Sequence, residues 1–379
     1  MNFLKRAENA NKKFFYKLFR RMFRNEEARL PLEAARVRKI LLFRYDAIGD
    51  MVVTTPVFNL LRESLPQAEI HVICSPYNYP IIKNDERIQR YFLHDGTLRS
   101  FWRLLRECRK EGYDLILAYV LFRTTYAGLM ANLIGGRRAT KVTILHEERR
   151  ELYSTFFNVQ IGLKRDTCTM AELQVKMLCE LFHWHYSPGM VRLGMRLDAD
   201  SRAVAESFCS RNSLVDFTVL NISAGREYRR WSVAKNREFL HRVLARTPAH
   251  EFVIVAAPSD LQDAEAIAEG FPQVCVFPPS PNILDVCAVI ERAAIVVSPD
   301  TSVVHIASAF GRPTLAFYSY TTAYVMEWLP FGVPNRYLIS RDKLPIETIE
   351  AGAAAESFME LYDEVFFTKT PAQTHENRI

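Results

Sequence analysis

Short apolar runs rich in Val, Ile, Leu and Phe alternate with helix-length segments along most of this 379-residue chain. Strand candidates of a first series are Lys39–Tyr45, Glu69–Cys74, Tyr113–Val120 and Lys141–Leu145. One helix is expected over Met51–Leu65, ending at Pro66, and helical spacing runs from about Glu151 to Trp184. Ser187-Pro188-Gly189 breaks the pattern. It resumes with strands at Phe217–Ser223, Glu251–Ala257, Val274–Phe277, Ala294–Ser298 and Thr314–Tyr318. Helices are expected between them at Val233–Arg246, Asp260–Glu269, Ile283–Arg292 and Ser302–Phe310, with a last one over Ile346–Phe367. Strands with so few polar residues are buried on both faces, which implies right-handed βαβ units around parallel sheets. Two such series on either side of a break predict an α/β protein of two doubly wound domains facing one cleft.

Charge separates a leader from this body. Residues 1–39 hold twelve Lys and Arg against four acids, a net +8, whereas the whole chain carries +6, so the rest sums to −2. The near-neutral body argues against a nucleic-acid partner. Within the leader, Phe15, Leu18, Phe19, Met22 and Phe23 share one helical face, and Lys13, Lys17, Arg20, Arg21 and Arg24 the other. A basic amphipathic helix of this kind suits an anionic membrane surface, and its alternative is packing of the aromatics on the body. Residues 1–30 are therefore expected to hold the protein on the cytoplasmic face of an inner membrane. Lys5, Arg6, Lys12 and Lys13 interrupt any signal peptide, and no apolar run approaches the ~18 residues of a membrane span. Seven scattered cysteines without a Cys-x-x-Cys pair argue against a disulfide framework and structural zinc. The expected divisions are a leader at 1–38, domains at 39–190 and 191–345, and a C-terminal helix with a loose tail at 346–379.

In open α/β sheets ligands bind beyond the carboxyl ends of strands, and three such ends carry polar chemistry. In Arg44-Tyr45-Asp46-Ala47-Ile48-Gly49-Asp50, Asp50 is either a carboxylate at a helix start or a general base. In Asn221–Trp231, the small residues Ser223, Ala224 and Gly225 leave backbone N–H groups for an anion, with Arg229 and Arg230 to neutralise it, unless the loop is simply solvated. In Ser298–His305 a strand runs into a helix whose first amides, at Thr301 and Ser302 after Asp300, attract a diphosphate. His305, one turn on, would be an ordinary core histidine if met alone. Asp198-Ala199-Asp200 has the look of a metal site but precedes a helix and reads as its cap. No Gly-x-Gly-x-x-Gly or Walker loop is present, which weighs against dinucleotide oxidoreductases and P-loop NTPases.

Together these segments resemble glycosyltransferase family 9, the lipopolysaccharide heptosyltransferase family. KILLFRYDAIGDMVVTTPVFNLLRESLPQAEIHVI is similar to the family's opening signature, NISAGREYRRW to its phosphate loop, and VVSPDTSVVHIASAFGRPTLAFY to its nucleotide-sugar motif. The resemblance covers about residues 39–345. It implies a GT-B fold of two Rossmann-like domains, the first for the acceptor and the second for a nucleotide sugar. It further implies an inverting reaction that needs neither metal nor cofactor, with ADP-heptose as donor substrate and a lipid-linked saccharide as acceptor. On that pattern Asp50 matches the base, Arg229 a residue holding the donor phosphates, Asp300, Thr301 and Ser302 the diphosphate turn, and His305 the motif's histidine. Asp46 departs from the small or apolar residue usual at its place, so two carboxylates compete as base. Ser302 stands for a common Gly. Arg44, Asp46 and Arg123 are the expected acceptor contacts, with Arg137, Arg138 and Lys141 as further cations. A different donor, a non-lipid acceptor, an epimerase or a non-catalytic nucleotide binder are the alternatives.

Overall fold

The computed structural model describes residues 17–23, 25–120, 124–145, 150–164, 166–320, 325–341 and 344–367. The chain divides into two compact units between Leu193 and Gly194.

The first unit holds a parallel sheet of β1 (Lys39–Arg44), β2 (Glu69–Cys74), β3 (Arg90–Leu93), β4 (Leu115–Ala118), β5 (Thr140–Ile144) and β6 (Val159–Ile161), in the order β3-β2-β1-β4-β5-β6. The second repeats this order with β7 (Phe217–Asn221), β8 (Glu251–Val255), β9 (Val274–Val276), β10 (Ile295–Pro299), β11 (Thr314–Tyr318) and β12 (Asn335–Ile339), as β12-β11-β10-β7-β8-β9. Each sheet therefore reverses its winding once, between β1 and β4 and between β7 and β10. All four residues of β4, and all five of β7 and of β10, are buried, as two-sided coverage by helices requires.

The helices are α1 (Ile48–Val52), α2 (Thr55–Ser64), α3 (Leu98–Cys108), α4 (Thr124–Gly135), α5 (Arg150–Phe156) and α6 (Met170–Phe182) in the first unit. The second contributes α7 (Ala199–Arg211), α8 (Val233–Leu244), α9 (Leu261–Ala268), α10 (Ile283–Arg292), α11 (Ser302–Ala309) and α12 (Ala351–Phe366). Three sequence expectations are corrected. The single helix over Met51–Leu65 is two, because Pro56 lacks an N–H and its ring would clash with the Val52 carbonyl; it serves instead in the opening turn of α2. The helical stretch 151–184 contains β6, and α6 starts afresh at a capping box of Thr169 and Glu172. The C-terminal helix begins at Ala351 rather than Ile346, after a separate turn at Ile346–Thr348, and its Ala351, Ala354, Ala355, Phe358 and Leu361 lie in the second core beside Phe239 and Phe252. Asp198 caps α7 as expected, accepting from the Ser201 N–H at 2.9 Å.

The leader is likewise part of the first unit. Residues 17–22 are helical, and Phe19 and Phe23 pack on Phe156, at 5.5 and 6.0 Å between ring centroids. Leu18 and Met22 stay exposed. Further on, Glu26 N–H donates to the Arg137 carbonyl (3.2 Å) and Leu32 N–H to the Leu181 carbonyl (2.9 Å). Lys141 is buried rather than available to an acidic sugar: its ammonium donates to Asn25 Oδ1 (3.0 Å) and the Ala139 carbonyl (2.9 Å). Burial lowers its pKa to about 8, with Glu26 opposing. All seven cysteines are free thiols. Among the described residues no helix is long and apolar enough to cross a membrane.

Candidate active site

At the reversal point of the first sheet, β1 delivers Arg44 into the interior and the chain turns through Tyr45-Asp46-Ala47 into α1. Arg44 has no exposed surface. Its Nη1 donates to Asp46 Oδ2 (3.0 Å) and to the Tyr119 carbonyl just past β4, its Nη2 to Asp50 Oδ1 (3.0 Å), and its Nε to the Asp50 carbonyl (2.8 Å). One buried guanidinium thus braces both candidate carboxylates and ties β1 to β4. The expectation that Arg44 touches an acceptor is corrected, since a side chain without exposed surface cannot do so. Asn78 secures the same turn from the β2 side, donating to the Arg44 carbonyl at 2.9 Å.

Asp50 is the third residue of α1, and its Oδ2 accepts from the Ala47 N–H at 3.3 Å. This is half of a capping box; Ala47 has no oxygen to supply the other half. The side chains of Asp46 and Asp50 keep 12 % and 15 % of their surface exposed, so both meet solvent narrowly. Burial pushes Asp46 up to about 7, against the pull of Arg44 and helped by the charge of Asp50. Asp46 Oδ1 is buried and has no hydrogen-bond partner among the described residues. Arg123 lies outside the described residues.

Beside this turn a pocket of about 700 Å³ opens over the ends of β1, β2 and β3, lined by Tyr45, Ser75, Tyr77, His94, Asp95 and Tyr126, among others. The size is typical of small-ligand sites. His94 is fixed by Ser100 Oγ (2.9 Å) and the Tyr126 hydroxyl (3.0 Å), and its ring stacks on that of Tyr126. Sequence reasoning selected none of these except Tyr45, as part of a motif; β3, which presents His94, was itself missed.

The reversal point of the second sheet gathers the other candidates. Thr301 caps α11, its Oγ1 accepting from the Val303 N–H (3.3 Å), so the unpaired amides of the first helical turn open at the end of β10. Arg229 pairs with the buried Asp300, Nη1 lying 3.1 Å from Oδ2 and also donating to the Asp300 carbonyl (3.2 Å). Its Nε has no hydrogen-bond partner among the described residues. Arg230 is not a free cation for an anion: it donates to the Ala224 carbonyl and to Asp260 Oδ1, each at 2.9 Å. Ser223 Oγ donates to the other oxygen of Asp260 (2.5 Å) and accepts from the Ala257 N–H (2.8 Å). Gly225 is exposed, at the rim of an open pocket of about 960 Å³ with Tyr228 and Asp263. His305 is buried against Trp328, and burial holds its pKa down at about 4, so it carries no charge at neutral pH.

Two organising residues escaped the sequence reading. Asp260, after β8, locks the 223–230 loop through Ser223 and Arg230. Burial raises its pKa, but bonds from Ser223, Ser259 and Arg230 outweigh this and hold it low. Asn221, the last residue of β7, places its amide 3.0 Å from Ser298 Oγ and 3.1 Å from Thr301 Oγ1, joining the two strand ends across the reversal. The polar residue at each strand end was the available signal. Among the described residues, one group has the spacing of metal ligands, Glu69, His71 and Glu111. It lies at the amino-terminal ends of β1 and β2, the opposite end of the strands from the Asp50 turn, where Lys39 and Arg90 already pair with Glu111.

Comparison with known proteins agrees with this geometry. The profile of glycosyltransferase family 9 (heptosyltransferase) matches residues 101–341. Lipopolysaccharide heptosyltransferase 3 of Escherichia coli is 22 % identical over 289 residues, covering 72 % of this chain and 81 % of that protein. A family 9 glycosyl transferase from Veillonella parvula superposes with a TM-score of 0.70 at 18 % identity, over 86 % of this chain and 97 % of the other. The E. coli heptosyltransferase WaaC, solved with ADP-2-deoxy-2-fluoro heptose, gives 0.63 at 18 % identity, over 85 % and 99 %. Both solved structures share the two-domain GT-B fold. With more than half of its length matched by the family profile, this chain belongs to glycosyltransferase family 9 and is a glycosyltransferase of the heptosyltransferase type.

Proposed function

We propose that this enzyme transfers a heptose from ADP-heptose to a hydroxyl of a lipid-linked saccharide, with inversion and without a metal ion, and that Asp50 is the general base. The acceptor oxygen attacks the anomeric carbon while its proton passes to the Asp50 carboxylate. The bond from that carbon to the diphosphate oxygen breaks, and its electron pair leaves on the nucleoside diphosphate. The α11 amides at Thr301 and Ser302 and the Arg229 guanidinium take up this charge. Asp300 orients Arg229. The observation that carries the reading is the buried Arg44 fork, which holds Asp50 at the reversal point of the first sheet. The donor is inferred from the family and from the ligand of the WaaC structure. The aromatic walls of the Tyr45–His94–Tyr126 pocket, whose faces suit the C–H surface of a sugar ring, support a saccharide acceptor.

The lipid-linked acceptor places the enzyme at the cytoplasmic face of the inner membrane. Phe19 and Phe23 pack inward, so within the helical turn at residues 17–22 Leu18 and Met22 remain as apolar contacts beside Lys17, Arg20 and Arg21.

A second reading makes Asp46 the base. Its pKa near 7 is that of an efficient proton acceptor at neutral pH, and its unpartnered oxygen could take the proton. Asp46→Asn and Asp50→Asn distinguish the two. A positioned base contributes about 10²–10⁴ in rate. Asp50→Asn is expected to lose that much turnover with donor affinity kept, and Asp46→Asn less than tenfold. The reverse pattern transfers the role to Asp46, and near-normal turnover in both variants removes the scheme.

A further inference from the structure

Helix α3 is built in two unlike halves. Phe101, Leu104 and Cys108 enter the core that covers one face of the first sheet, beside Leu41, Phe43 and Ile116. The outward side carries Leu98 and Trp102, one turn apart and 78 % and 66 % exposed, the most exposed leucine and tryptophan of the described residues. Arg99, Arg103 and Arg106 are also exposed and follow at positions that share the adjoining stripe of the helix. Arg109 and Lys110 continue the positive charge at the carboxyl end, and Glu107 is the only acid in the helix. The Trp102 ring touches that of Phe101 edge to face (5.5 Å between centroids), yet two thirds of its surface, with Leu98 beside it, is left to water next to a row of arginines. Arg103 donates to the Leu93 carbonyl at the end of β3 (3.0 Å), and its charge acts on Asp95 in the loop that enters the helix.

We infer that the outer face of α3 is a docking surface for an anionic lipid bilayer, with Trp102 and Leu98 entering the headgroup–acyl boundary and Arg99, Arg103 and Arg106 meeting lipid phosphates. Tryptophan favours that boundary because its ring is apolar and its N–H polar, and arginines beside it gain from the negative surface potential. Two placements reinforce the assignment. Phe19 and Phe23 of the basic leader pack on the same core layer as α3, so the cations of both elements belong to one side of the sheet. The loop that enters α3 supplies Asp95 and Gly96 to the wall of the Tyr45–His94–Tyr126 pocket. A bilayer seated on α3 therefore brings that pocket's mouth to the headgroups, where the sugar of a lipid-linked acceptor is found. The inference draws on the proposed acceptor only for this last point; lipid binding needs no turnover and is measured without substrate.

The test uses the full chain with vesicles of 1:1 phosphatidylglycerol and phosphatidylcholine, some carrying brominated acyl chains, and with phosphatidylcholine alone. Of the four tryptophans, Trp102 is the exposed one among the described residues, so its fluorescence should be quenched by brominated anionic vesicles and not by neutral ones. Trp102→Phe should abolish the quenching while the protein still sediments with the vesicles. Leu98→Glu with Trp102→Glu should lower the partition coefficient at least tenfold, and Arg99→Glu or Arg103→Glu about fivefold each. Sediment that contains the protein without quenching at Trp102 assigns attachment to the leader alone and overturns the inference. So does absence of binding, or equal binding to neutral vesicles. Loss of transferase activity on a lipid acceptor in a variant that still docks would count against the proposed reaction and leave the docking surface standing.

Discussion

Removing Arg44 should expose the cost of holding two carboxylates at one turn. Arg44→Met keeps an unbranched apolar stem but removes the guanidinium, leaving Asp46 and Asp50, each at most 15 % exposed, without the cation they share. Breaking a buried ion pair from one side costs about 3–5 kcal/mol, because the remaining charge is stranded. The loss should depend on pH with a defined sign. Asp46 has a folded pKa raised from 3.8 to about 7, so its ionisation already opposes folding, and its share of stability falls as pH rises through that window. Without Arg44 the pull that limits the rise is gone and the window extends upward. The variant should therefore be closer to wild type at pH 6 than at pH 8.5. Asp46→Asn added to Arg44→Met removes one stranded charge and should restore about 1–2 kcal/mol at pH 8.5. Amide exchange of β1 and β4 is the suitable assay, since it reports the first unit separately from the second. A loss below about 1 kcal/mol at every pH, or no recovery from Asp46→Asn, would refute the account of Arg44 as the brace of both acids.

Arg229→Ala should weaken binding of a nucleoside diphosphate about tenfold or more, a change of ~1.4 kcal/mol. Unaltered affinity in a calorimetric titration would remove Arg229 from the donor site. Asn221→Ala severs the link between the ends of β7 and β10 and should cost about 1–3 kcal/mol of stability as well as donor affinity, because it leaves Ser298 and Thr301 short of a donor. A variant with wild-type melting and wild-type donor affinity would show that the link is idle. His250 and His305 are buried with pKa values lowered to about 4, so the unfolded chain binds protons there first and stability should drop as pH falls from 6.5 towards 4. Denaturant midpoints of the second unit that stay level between pH 7 and 4.5 would contradict this.

The two doubly wound units were legible because strands covered on both sides must be almost wholly apolar, as in Ile40–Phe43 and Ile295–Val297. The strands that were missed fail that test for a physical reason. β3, β6 and β12 lie at the edges of the sheets, where one neighbour is solvent and residues such as Arg90, Gln160 and Arg336 are tolerated. The positions of Asp50, Arg229 and Thr301 were likewise readable, since each follows a buried strand. Their partners were not. Arg44 looks like a surface cation in sequence, and only the fold reveals that two acids wait for it inside. Asp260 and Asn221 act through contacts made 30 or more residues away, which no local pattern encodes.

The stitching of the leader to the first unit bears on how this protein can be shortened. A cut after residue 30 takes away more than a cationic arm: it strips Asn25 from the Lys141 ammonium and the aromatic cover from Phe156, opening an internal charge and a greasy surface to water. Such a fragment would be prone to clump, and its behaviour towards lipid would say little about the arm that was lost. Trimming should spare the stretch from Phe19 onward, whose ring covers Phe156.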